Sequence, residues 1–520
     1  MQNKDENTAQ KLCFGGNIYM KLKSILNTAA VLSLSCALLV TTSACQPRTQ
    51  AAAQQSAHTG TQSQETPEPA STTTLAQKLS AYKIDLQEST KAFGSNAGIR
   101  NYLRNWASSR DIACETDAAG NVIMTKQSSD DYQKAPPTVI VCPYDALQED
   151  EGLAPIASAL YVINNNENTG KLTVIFTQEK GHQFTGIKKL DKSLFTGKSR
   201  VFYMNGTSKG QFSLKTASSM LLQFTHPLKY SKPEYTLAYR ITIQGLDRGQ
   251  VNSDISDNSN AILRIKDLLN YMKNANIGYN IASIQGGTDD ALSPGSCTVT
   301  ICVDPNREEK FISHMDNVTE RFNADRAHEH PGATYIYSKT TVPERVISQD
   351  STQTLLAFMY TLMNGKYTDN NIRENNLSDE PYSLNNISYI KTDRNGVKIN
   401  SVANSLLDSD LTEIKKAQKT LAGLTGMSTR VISTSPMWSG DENAAFVSDV
   451  STAYKNYYGS ALKYSDAFTS TGAEYIRKMN PKTQIVVVNV NDSVMEACTG
   501  TIIDYLAGTV PGHDDKIKSK

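Results

Sequence analysis

The chain lacks an excess of either charge. Lys and Arg number 52 and Asp and Glu number 52 in 520 residues, so a broad basic face for nucleic acid or anionic lipid has no support. An ordered cysteine pattern is also missing. Beyond Cys45 there remain Cys114, Cys142, Cys297, Cys302 and Cys498, an odd number at irregular spacing. Cys297 and Cys302, in "CTVTIC", fall on opposite faces of a strand and cannot pair with each other. A disulfide framework is therefore excluded as the organising principle. Residues 46–74 hold no aromatic and no large aliphatic side chain, which excludes a packed core there. The apolar stretch Ala29–Val40 is too short to span a bilayer. Histidine is absent where an acid would need it. In "VIVCPYDALQEDEG" (139–152) an apolar run stops at Asp145 and an acidic cluster, with no histidine beside them.

The front of the chain has a clear order. From Met20 come two lysines, the apolar stretch, then small residues up to Cys45, the sequence of regions in a secretory signal. Residues 1–19 are expected to precede the true start at Met20, and 1–45 form the signal region. "TSAC" resembles the lipobox of bacterial lipoproteins, with Thr42 where such boxes usually carry leucine. The resemblance implies lipid on Cys45; ordinary secretory cleavage is the alternative. Residues 46–77, rich in Gln, Thr, Ser, Ala and Pro, are expected to be a flexible linker. The expected location is extracytoplasmic, lipid-anchored to the bacterial cell membrane.

The remaining stretch of about 440 residues is enough for two or three domains. Over 78–108, "KLSAYKIDLQES" and "GIRNYLRNWASS" repeat apolar residues at helical spacing. "TVIVC", "KLTVIFTQE" and "SRVFYMN" are unalternated apolar runs, expected of strands covered on both faces. "EGLAPIASALYVI" places Leu153, Ile156, Ala157 and Leu160 on one helical stripe. This order implies an α/β sheet domain with a largely parallel sheet, and three of its strands deliver Asp145, Gln178 with Glu179, and Asn205 at their carboxyl ends. Ligands of open α/β sheets bind at that edge. From about residue 211 the pattern changes: Leu237, Tyr239, Ile241 and Ile243 alternate, as in an antiparallel sheet backed by helices. "ISYIKTDRNGVKINSV" is a hairpin with Asn395-Gly396 at its turn, and Asp410 with Glu413 forms a capping box for the helix that follows. The expected domains are 78–210 and 431–510 for the sheet domain, 211–430 for an inserted α+β domain, and a tail at 511–520.

"GIRNYLRNWA", "DAAGNVIM", "ASALYVI", "FTQEKG", "NNISYIKTDRNGVKINSVANSLLDSD" and "TGAEYIRK", in that order over about residues 94 to 507, resemble the aminoacyl-histidine dipeptidase branch of the zinc-dependent aminoacylase and carboxypeptidase-G family. The resemblance implies an α/β sheet domain with helices on both faces, interrupted by an α+β lid or dimerisation domain. In that family strand ends supply five ligands to two bridged zinc ions, and a glutamate acts as general base. Position by position, this chain keeps little of that set. The family's His-x-Asp falls on Pro143-Tyr144-Asp145, so the ligand histidine becomes a proline and the supporting aspartate remains. The bridging aspartate falls on Glu151, within Glu149, Asp150 and Glu151, without the long loop that precedes it in the family. The Glu-Glu pair falls on Gln178-Glu179: the metal-binding glutamate is kept and the base is an amide, which cannot take a proton from water at neutral pH. The next ligand falls on Asn205. The last ligand histidine has no counterpart between Val490 and Asp492. Of the lid's substrate-binding residues, the histidine falls on Gln250 and the arginine on Asn404. Glu474 matches a family glutamate near the active centre and equally suits a helix-start acid.

Zinc needs about four ligands, and Glu151 with Glu179 do not supply them. The expectation is a degraded metal site with no cofactor, and a protein that binds a peptide or protein partner. Alternatives are an active metallo-dipeptidase or aminopeptidase-type hydrolase, using zinc at a site rebuilt from Asp145, Glu151, Glu179 and His182, and a scaffold that forms a homodimer through the lid. His328 and His330 of "RAHEHPG" read as an exposed loop rather than a metal pair, His182 as a surface loop residue, and Cys142 as a packed thiol rather than a nucleophile.

Overall fold

The computed structural model describes residues 73–93, 95–145, 152–166, 169–180, 183–207, 211–246, 260–288, 293–329, 332–362, 364–367 and 383–508. Two nine-stranded sheets lie within one compact unit of the chain. The first is built on the apolar runs. Leu172–Gln178, Thr138–Tyr144, Arg200–Gly206 and Gln484–Val490 are adjacent and parallel, in that order. Ala113–Thr116 and Val122–Lys126 extend one side antiparallel, and Gln211–Thr216 pairs antiparallel with Gln484–Val490 on the other. The unalternated sequences follow from cover on both faces. Phe202 packs on Phe446 and Tyr505, of the helices Ala445–Tyr458 and Met495–Gly508. Tyr203, its neighbour, faces the other way, where Gly472 leaves space for no more than a hydrogen against Tyr203 and Ile187. The helix Leu153–Asn165 is buried over Leu153–Ile163 all round rather than along one stripe, because the helices Leu75–Phe93 and Met495–Gly508 cover its outer side.

The second sheet is antiparallel throughout, with Leu237–Gln244, Cys297–Val303, Tyr279–Gly287, Ser383–Asp393, Gly396–Ser405, Ser218–His226 and Ser428–Ser435 as successive neighbours. Tyr239, Ile241 and Ile243 are buried as their alternation requires, and the Tyr239 ring packs tilted at 4.7 Å against Phe311 of the helix Glu308–Glu329. The hairpin loop is Arg394-Asn395, with Asp393 opposite Gly396. Asp410 is not a cap: it lies inside the first turn of the helix Asp408–Leu424 and accepts from Ser383 Oγ at 2.8 Å. Sequence places Gln211–Thr216 in the insertion, yet its ladder partner is Gln484–Val490 of the first sheet. The chain passes between sheets at Ala217 and returns after Ser435, the end of the last strand of the second sheet. The five cysteines among the described residues are unpaired, Cys114 exposed and the others buried.

Candidate functional site at the strand ends

Parallel strands bring Asp145, Gln178-Glu179 and Asn205 to one edge, as expected from their positions. Asp145, Glu179 and Asn205 are buried. Pro143 sits in the strand Thr138–Tyr144, whose pairing with Arg200–Gly206 stops at Val141 while pairing with Leu172–Gln178 runs on to Tyr144. A residue without an N–H is tolerated where a ladder ends.

Gln178 is held from several sides. Its Oε1 accepts from Arg100 Nη1 at 2.9 Å and lies 3.1 Å from Tyr144 Oη. Tyr144 has one proton, and the shorter contact, 2.7 Å, is to Gly120 O. The Gln178 backbone N–H donates to Asn121 Oδ1 at 2.9 Å, and Asn121 Nδ2 donates to Asp117 Oδ2 at 2.7 Å and to Gly186 O at 3.0 Å. Gly120, at φ +90°, has Gln178 Oε1 2.5 Å from where a Cβ would stand, so the turn that carries Asn121 needs glycine both for conformation and for space. Of these supporting residues, Arg100, Asp117, Gly120 and Asn121 come from the quoted phrases "GIRNYLRNWA" and "DAAGNVIM". No functional role is legible for them in sequence, because their contacts join segments far apart in the chain.

Glu179 is turned inward. Its two oxygens accept the backbone N–H groups of Gly186, at 3.0 Å, and Ile187, at 2.9 Å. Burial pushes its carboxyl from the ordinary 4.5 to about 7, against the lowering effect of those amides and of Lys188. A Cβ on Gly186 would stand 2.5 Å from both Asn121 Oδ1 and Gln178 O, so the turn lies hard against the strand end. Asn205 Nδ2 lies 3.5 Å from Thr469 Oγ1, and Asn404 Nδ2 donates to Phe468 O at 3.4 Å. The segment Ala467–Thr471 thus touches both positions and ties to the crossing point, where the Ala217 amide meets Ala467 O at 3.0 Å and Thr469 O at 3.2 Å. Glu474 forms a bidentate pair with Arg477, both contacts 2.6 Å, in the helix Ala473–Met479. Glu474 lies in the first turn of that helix. Cys142 is fully buried and its thiol is pushed above the ordinary range by burial.

Glu151, Gln250, His182, His330 and Cys45 lie outside the described residues. His328 stands on the helix Glu308–Glu329 and not in a loop. Among the described residues no three His, Cys, Asp or Glu side chains converge to hold a metal ion. Among the described residues at the strand ends, Pro143 offers no donor, Asn205 offers a neutral amide, and both Glu179 oxygens accept N–H groups.

Two open cavities of about 480 and 450 Å³ flank the hydrogen bond from Tyr475 Oη to Thr434 O, 3.2 Å long. Neither is lined by Asp145, Gln178, Glu179 or Asn205.

No protein-family model and no curated protein sequence matches the chain. Solved structures similar to it include an aminoacylhistidine dipeptidase from Vibrio alginolyticus, at 15% identity and TM-score 0.49 over 84% of this chain and 97% of that one. An aminopeptidase PepT from Bacillus cereus is 12% identical, with TM-score 0.39 over 84% and 98%. A dipeptidase Dug1p from Saccharomyces cerevisiae is 12% identical, with TM-score 0.41 over 84% and 98%. The family that the sequence phrases resemble is thus among these structural neighbours.

Proposed function

We propose that the protein is a non-hydrolytic binding protein with a dipeptidase-like architecture, held outside the cytoplasmic membrane by lipid on Cys45, and that its ligand is a peptide. The observation that carries this reading is the inward lock of Gln178 and Glu179. A general base must reach a water, and a metal ligand must direct a lone pair into the cleft. Gln178 Oε1 accepts from Arg100, and the Glu179 oxygens accept from Gly186 and Ile187.

A rebuilt hydrolase is favoured by one feature, the Glu179 carboxyl near 7, a value suited to acid–base work at neutral pH. Against it, Glu179 is 3% exposed, and its role would depend on Asp145, Glu151 and His182 completing a site. Melting of the purified protein in zinc separates the two. A true site at a thousandfold over its Kd adds about 4 kcal/mol of stability. The expected result is no shift with zinc, manganese or cobalt and no turnover of Xaa-His dipeptides. Stoichiometric zinc, with turnover abolished by Glu179→Ala, would replace this reading with the hydrolase. For the anchor, fatty-acid labelling of cells is expected to be lost in Cys45→Ala.

A further inference from the structure

The strand Ser428–Ser435 ends the second sheet, paired on one side to Ser218–His226. Edge strands leave alternate N–H and C=O groups available to another chain. Thr434 O is taken by Tyr475. Among the described residues, Ser428–Ser433 make no backbone hydrogen bond beyond the ladder to Ser218–His226. The register slips between Val431 and Ser433, so Ile432 has no residue opposite it. A bulge usually blunts an edge. Here the edge borders an open cavity: beside Val431–Thr434 lies the space of about 480 Å³, whose far wall is Gln183, Thr185, Lys188 and Lys189. That volume is in the range of sites that hold small ligands, about 300 to 1,000 Å³.

The charge of this cavity is one-sided. Lys188 and Lys189 line it and, among the described residues, no acid does. Lys188 Nζ donates to Gln183 O at 2.7 Å and stands 4.8 Å over the Tyr475 ring, which fixes its position without neutralising it. Neither lysine has an ion pair among the described residues. The neighbouring cavity is different, since Asp408 accompanies Lys415 and Lys478 there.

We propose that the outer edge of Ser428–Ser435 takes an extended peptide as an added strand, with a carboxylate of that peptide held by Lys188 and Lys189. This rests on the reading that the protein binds a peptide without cutting it, and it places the peptide away from the strand ends at Gln178 and Glu179. Backbone pairing supplies affinity with little regard to sequence, and the lysines select an acidic residue.

The test uses the full-length protein in detergent and a fluorescein-labelled hexapeptide, Thr-Val-Glu-Val-Glu-Thr, read by fluorescence anisotropy. Three partners are compared with it: the Lys-for-Glu peptide, the acidic peptide N-methylated at alternate amides, and the K188E/K189E protein. Each is expected to weaken binding about tenfold or more, the loss of roughly one charge-assisted contact or ladder pairing. No binding of the acidic peptide to the unaltered protein overturns the proposal. So does binding indifferent to N-methylation, which would mean an ion site, or binding unchanged in K188E/K189E, which would mean a peptide site elsewhere and leave the non-hydrolytic binding reading intact. A dimer dissolved by K188E/K189E, with no peptide bound, makes a second copy of the chain the partner. Mass spectrometry of the recovered peptide tests the other reading: cleavage would remove the non-hydrolytic claim while the anisotropy result still decides the location.

Discussion

Two corners of the molecule carry polar groups side by side and treat them oppositely. At the strand ends, Gln178, Glu179, Asn121 and Asp117 bond mainly to one another and to nearby backbone. Along the edge Ser428–Ser435, backbone groups and two lysines face a cavity with no acid among the described residues of its wall. Buried polar atoms must be paired to be tolerated, so a strand-end site that closes on itself becomes part of the framework. An edge beside a cavity remains available. The turn 183–189 serves both corners: Gly186 and Ile187 bind Glu179, and Lys188 and Lys189 line the cavity.

The sharpest way to break this contrast is Glu179→Ala at pH 5. If Glu179 holds the turn, two N–H groups lose their partner in a buried place, a cost of about 3 kcal/mol, read as a fall in the urea midpoint with unchanged slope. A carboxylate kept for metal binding at the expense of stability would behave differently, because its removal commonly leaves stability equal or higher. An unchanged or raised midpoint would therefore reopen the hydrolase reading. Gly186→Ala should cost about 2 kcal/mol by forcing the turn off the strand end, measured in the same way.

How much of this was open to the sequence depends on distance along the chain. The three runs around Val139–Cys142, Leu172–Phe176 and Val201–Met204 read as buried strands because each is apolar on both faces, and the fold uses them so. Their shared carboxyl edge follows from the parallel order. That Pro143, Gln178 and Asn205 stand on or at the ends of those runs is equally plain. The lock was not, since it needs Arg100, Asn121 and Gly186 to arrive from separate segments. Gln211–Thr216 misled for the same reason. The partner of "QFSLKT", Gln484–Val490, lies far downstream.

A pH series distinguishes a held carboxyl from an exposed one. Burial raises the Glu179 pKa from 4.5 to about 7, so the folded state binds the proton more tightly than the unfolded one. Its contribution is fully present below about 4.5 and is lost as pH rises through about 7. The total is at most about 3 kcal/mol, less after relaxation of the site. Stability should fall over that window, and Glu179→Gln should flatten the fall. An unchanged slope in the variant would place Glu179 in water rather than under the turn.

The smallest expected effect is at the other corner. Lys188 and Lys189 are exposed, so K188E/K189E should change stability at pH 5 by no more than about 0.5 kcal/mol, even though it removes the contact of Lys188 with the Tyr475 ring. One coupling should still be visible. Lys188 lowers the Glu179 pKa, and a glutamate in its place would raise it. The upper end of the window over which stability is lost should therefore move to higher pH in the double variant, with its lower end, set by the unfolded chain, unchanged. Urea midpoints taken in half-unit steps between pH 4 and 9 measure both quantities. A large loss of stability already at pH 5 would mean that the lysines brace the turn, and the contrast between a closed corner and an available one would then fail at the segment they share.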